Sequence, residues 1–223
     1  MKFSKDLGFA VVFRNKKIGN EILKAILESF RVNKKIFGSA PKKFNVFVCD
    51  TEEEFKKHAK YWYHEKATAT VLLDNTLVTR SPEFIGKKGL FKRKQFQDII
   101  NHEMNHAFLG KYYTGSSPVW LIEGLACYVG KFPEIPEIKK LDYSILEYRY
   151  IKKRFRKNKF LKHGFWRGFV EYIDKKYSIK KLIILMKEYG KNPVKKNYEE
   201  LFLKIFKKTE KELFREFVED GLK

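Results

Sequence analysis

The chain has 223 residues, 43% of them apolar and including 21 Phe and 12 Tyr, enough to bury a sizeable core and to exclude a disordered chain. Lys and Arg number 48 against 27 Asp and Glu, a net charge of +21 whose field would attract nucleic acid, an acidic membrane surface or acidic protein substrates without choosing among them. No apolar run approaches the roughly 18 residues of a membrane span, and two cysteines, Cys49 and Cys127, are too few for a disulfide framework or a cysteine-type zinc site.

The N-terminal half alternates strand and helix signals. Gly8 to Phe13 is a short apolar strand. From Ile18 to about Val32, Ile18, Ile22, Ile26 and Phe30 recur every four residues with Leu23 and Leu27 alongside, which predicts a helix. Phe44 to Cys49 is strand-like, and Asp50 or Thr51 then offers an N-cap with Glu52 to Glu54 in the first turn of a helix running to about Tyr63. Thr68–Leu73 and Thr76–Thr79 flank Asp74-Asn75 as two strands about a tight turn. Gly86 and Gly89 mark a loop before a helix over about 92–109, which Gly110 ends.

Ser117 is expected to cap, and Pro118 to open, the next helix. Beyond Pro136 the pattern is helical throughout, over about 141–157, 165–176, 179–189, 195–207 and 209–220. These elements predict an α+β protein: an N-terminal lobe, 1–115, with a small mixed sheet and helices, and an all-helical C-terminal lobe, 116–223. The absent apolar span, with Ser4, Lys5 and Asp6 interrupting any secretory core, predicts a soluble, cytoplasmic chain. Both cysteines sit in apolar surroundings and are expected as free, buried thiols.

The chemistry is concentrated in His102-Glu103-Met104-Asn105-His106. Four residues is just over one helical turn, so both imidazoles project from one face toward a common point, a good arrangement for zinc. Glu103 lies about 100° round the helix, where it reaches a metal-bound water rather than the metal. A catalytic zinc takes three protein ligands and keeps one position open. No histidine occurs between His106 and His163. Glu123 lies instead in a second helix, flanked by Ile122 and Gly124 within an apolar stretch, where a carboxylate is costly unless paired or bound to metal. Gly124 and Ala126 are small enough to let this helix approach the first closely. The predicted metal set is His102, His106 and Glu123, one Zn2+ per chain, with Glu103 as general base.

His102-Glu103-x-x-His106, followed after sixteen residues by Trp120-Leu121-x-Glu123-Gly124-x-Ala126, resembles the gluzincin zinc metallopeptidases. The likeness is greatest to the compact peptidase-MA-like domains related to thermolysin and the zinc aminopeptidases. That resemblance implies a zincin-like fold, with the active-site cleft between the lobes, and peptide hydrolysis through the metal-bound water. It also implies an edge strand that pairs with an extended peptide or protein substrate; Thr76, Leu77, Val78 and Thr79 are the candidate. A hydrogen-bond donor to the oxyanion is implied too. His163 occupies the position where relatives often carry a tyrosine, with Tyr148 and Tyr150 as rivals. Relatives usually carry an acidic residue four positions after the glutamate ligand; Cys127 stands there, and Asp98 is the candidate substitute. No amine-binding motif is evident, which leans to an endopeptidase.

Between Arg149 and Arg167 nine basic residues interleave with aromatics and no acid. This segment is either a solvated helix face or a nucleic-acid or acidic-peptide surface. Two other functions are therefore carried: a nucleic-acid-associated metalloprotease, and a metal-binding peptidase-like scaffold without turnover.

Overall fold

The computed structural model describes residues 2–4, 9–12, 19–41, 44–65, 67–88, 95–110, 112, 117–132 and 159–220. The helix expected over 141–157, Tyr148, Tyr150 and most of the basic segment lie outside the described residues. By its contacts the chain divides into two units, Met1–Lys111 and Tyr112–Lys223. The protein is of mixed α and β structure, and among the described residues no helix is long and apolar enough to cross a membrane.

The first unit is built on five strands: β1 (Lys2–Ser4), β2 (Phe9–Val12), β3 (Phe44–Cys49), β4 (Ala69–Val71) and β5 (Thr76–Arg80), in the order β1-β2-β3-β5-β4. The sheet is mixed. β2, β3 and β5 are parallel, while β1 and β4 close the two edges antiparallel to their neighbours. Parallel neighbours need long crossovers. The first runs through α1 (Gly19–Phe37) and the second includes α2 (Glu52–Ala59).

Local chemistry accounts for several of these elements. Thr51 caps α2, its Oγ1 accepting from the Glu54 amide at 3.2 Å while Glu54 Oε2 accepts from the Asp50 amide at 3.0 Å. The β4–β5 turn has Asn75 at φ 62°, a conformation asparagine tolerates, and Asp74 Oδ1 accepts from the Thr76 amide at 3.0 Å. A short helix, α3 (Pro82–Lys88), occupies part of the segment expected as loop. Proline sets its first turn, and Ser81 Oγ accepts from the Phe84 amide at 3.4 Å.

α2 packs on one sheet face, where Cys49, Phe55, Ala59 and Val78 form a buried cluster with Phe47 and Leu72 against it. Period-two alternation turns Val46, Val48 and Leu77 to the other face. α4 (Phe96–Leu109) packs against β4, β5 and the length of α1. Phe108 of α4 meets Phe30 and Phe37 of α1 at ring-centroid distances of 5.3 and 5.8 Å.

The second unit is helical among its described residues: α5 (Val119–Val129), α6 (Lys159–Tyr177), α7 (Ile179–Tyr189), α8 (Lys195–Phe206) and α9 (Glu210–Asp220). α5 lies on α6, and α6 carries Phe165 and Phe169 into a cluster with Phe214 and Phe217 of α9. Asp174 Oδ1 accepts from the Ile179 amide at 2.6 Å and fixes the α6–α7 junction, where Ser178 has φ 74°.

Candidate metal centre

α4 carries the H-E-x-x-H residues because its apolar side chains, Phe96, Ile99, Ile100, Met104, Ala107 and Phe108, are buried along its length and hold the helix in place. His102 is 8% exposed, whereas Glu103 and His106 are half-buried. The Nε2 atoms of His102 and His106 lie 3.1 Å apart, with the two rings edge to face at 82°. Two donors on one tetrahedral zinc, each at about 2.0–2.1 Å, stand about 3.3 Å apart. The pair already has the spacing of two edge-sharing ligands.

The glutamate comes from α5. Pro118, at φ −60° and ψ 125°, is the N-cap residue and makes no capping hydrogen bond from its own side chain. Pro118 therefore takes the cap position expected for Ser117, one residue before the first turn. Trp120, Leu121, Ile122, Leu125, Ala126, Cys127 and Val129 are all buried, and Glu123 is half-buried among them.

The smallness of Gly124 serves a different neighbour from the one expected. A Cβ there would stand 2.9 Å from both the Trp166 carbonyl oxygen and Val170 Cγ2. The close approach is to α6. Trp120 seats on Phe169 beside it, at 4.9 Å between centroids.

Among the described residues, His102, His106 and Glu123 form one group of metal-type donors, each offering a ligand atom with all of these within 4.8 Å of one another. Two imidazoles and a carboxylate are a hard-to-borderline nitrogen and oxygen set that fits zinc. With three protein donors, a four-coordinate ion keeps one position open.

The expected substrate strand requires correction. Thr76, Leu77, Val78 and Thr79 lie in β5, hydrogen-bonded to β3 on one side and β4 on the other, and all four are buried. Their main-chain groups are used within the sheet, so they cannot pair with a peptide. The edge on this side of the sheet belongs to β4, Ala69–Val71.

His163 lies on α6, half-buried, with its ring stacked on Trp166 at 5.6 Å and 30°. Cys127 is fully buried and reduced, as is Cys49, whose thiol is pushed up to about 12, first by burial and then by Glu54 and Asp50. The Cys49 thiol is therefore not primed for reaction. Asp98 is half-buried in the first turn of α4.

A row of amides runs along α4, Gln97, Asn101 and Asn105, with a counterpart in Ser29 and Asn33 on α1 that was not singled out above. The signal was there: polar residues at four-residue spacing, Ser29 and Asn33 within the apolar stripe of α1. Neither the models of known protein families nor the curated proteins give a match to this chain.

Proposed function

We propose that the chain is a zinc-dependent peptidase of the gluzincin kind with a zincin-like fold, in which His102, His106 and Glu123 hold one zinc ion. The observation carrying this reading is the donor set itself: two imidazole nitrogens 3.1 Å apart, with a glutamate whose carboxylate oxygen comes within 4.8 Å of them. Zinc bound by such a set supplies Lewis acidity toward a carbonyl oxygen and makes water a nucleophile near neutral pH.

The remaining chemistry belongs to the chain. Glu103, on the same helix as the histidines but about 100° round from His102, takes the proton of the attacking water and passes it to the leaving amine. His163 is the candidate donor to the developing oxyanion. The peptide is taken as an extended strand along β4, the edge strand beside β5, in place of β5 itself. A net charge of +21 favours acidic segments as substrates.

The test is metal content and peptide-library cleavage, measured on wild type beside Glu103→Ala. Unchanged cleavage by Glu103→Ala contradicts the assignment.

A further inference from the structure

Gln97, Asn101 and Asn105 follow at four-residue steps along α4, and Ser29 and Asn33 do the same along α1. The two rows meet. Asn105 Nδ2 donates to Asn33 Oδ1 at 3.2 Å, and Asn33 Nδ2 lies 2.9 Å from the Ser29 carbonyl and 3.4 Å from that of Asn101. Gln97 Nε2 closes the row at 2.7 Å from Ser29 Oγ, 3.1 Å from the Ala25 carbonyl and 3.3 Å from Asn101 Oδ1. Ser29, Asn33 and Asn105 are fully buried and Asn101 is 5% exposed.

We propose that this amide ladder is the positioning device of the metal site: it fixes the roll of α4 about its own axis and so the direction in which His102 and His106 present their Nε2 atoms. The proposal rests on the metal reading above. Each histidine is the residue after a ladder asparagine, Asn101-His102 and Asn105-His106, so ligand and lock stand about 100° apart on the helix. A ring nitrogen lies roughly 7 Å from the helix axis, and a roll of about 10° moves it by about 1.2 Å. Metal–ligand distances tolerate about 0.2 Å. An apolar helix interface repacks under such a roll, whereas N–H···O geometry does not survive it.

The ladder also carries a cost that packing alone does not explain. Asn105 Oδ1 is buried without a hydrogen-bond partner. Two leucines, branched like asparagine though bulkier, would leave no polar atom to satisfy. What they would lose is the defined register.

The test replaces both central amides, Asn33→Leu with Asn105→Leu, and measures the zinc Kd by chelator competition, the absorption spectrum of the Co2+-loaded protein, and the Tm of the metal-free protein. The expected result is a Kd weaker by about 10–100-fold, the range for groups that orient metal ligands, and an altered Co2+ spectrum, while the Tm of the metal-free protein reads the packing cost of the bulkier leucines separately. A second variant, Gln97→Met, alters only the partly exposed end of the row and is expected to weaken zinc binding about threefold or more on the same grounds. Wild-type Kd and Co2+ spectrum in both variants overturn the proposal. Should the leucine pair fail to fold, unchanged affinity in Gln97→Met overturns it alone. A wild-type protein that takes up no zinc overturns the metal reading and the ladder's role together, an outcome distinct from variants that bind as wild type does.

Discussion

Gly124 and Trp166 mark a close approach of α5 to α6: a Cβ on the glycine would stand 2.9 Å from the Trp166 carbonyl oxygen. That oxygen belongs to a helix backbone and cannot swing aside, and Val170 Cγ2 blocks the other direction at the same distance. Glu123 is the preceding residue, so the helix carrying the candidate ligand is seated by its neighbour's lack of a side chain.

Overpacking typically costs about 1–3 kcal/mol, of which alanine's better helix propensity returns about 1 kcal/mol, so Gly124→Ala is expected to destabilise the protein by up to about 2 kcal/mol. Denaturant unfolding of the variant beside wild type decides the matter. A more stable variant would show that the two helices separate at little cost.

Arg80 and Glu52 make an asymmetric pair. Arg80 is fully buried at the end of β5, with Nη2 2.6 Å from Glu52 Oε1 and the guanidinium 4.1 Å from the Phe55 ring centroid. Its Nε and Nη1 are buried without partners. Glu52 is a quarter exposed, and Tyr63 also donates to it at 2.9 Å. Removing the carboxylate strands a buried cation, at about 3–5 kcal/mol. Removing the cation leaves an anion that water can reach. Glu52→Ala should thus cost more stability than Arg80→Met, and the reverse order from chemical denaturation would contradict this account of the pair.

Glu216 of α9 supplies a pH dependence. Lys208 and Lys176 both donate to its carboxylate, Lys176 at 2.9 Å, and hold its pKa below the ordinary 4.5. A carboxyl depressed in the folded state contributes stability that is complete above the unfolded pKa and disappears as pH falls through the folded one. Stability attributable to this group should therefore decline from about pH 4.5 downward. In Glu216→Gln the acid-side fall, followed by thermal unfolding across that range, is expected to be shallower. An identical profile would mean that the lysines release the carboxylate in solution.

Features that depend on neighbours in the chain were legible in the sequence. The Thr51 cap with its acidic first turn, the Asp74-Asn75 turn and the helix over 179–189 each depend on residues within a few positions of one another. Features that depend on partners distant in sequence were not. Gly124 announced a close approach but not that α6 would make it. The β4–β5 hairpin was visible, yet nothing local says which of its strands adds to β3; Thr76, Thr79 and Arg80 disguise as an edge what is a fully buried strand. α3 was hidden by Gly86, which reads as loop. The grouping of His102, His106 and Glu123 was legible because donors of metal-ligand type at helical spacing stand out in a sequence. The amides behind His102 and His106 looked like ordinary polar residues until α1 was set beside α4.

The central claim separates the two glutamates, and one paired measurement addresses it: zinc per chain and peptide cleavage for Glu103→Ala and Glu123→Ala. Glu103→Ala should retain about one zinc while kcat/KM falls by about 10²-fold or more, as befits loss of a general base. Glu123→Ala should lose zinc and activity together. Full zinc in Glu123→Ala, or undiminished cleavage in Glu103→Ala, would contradict the account.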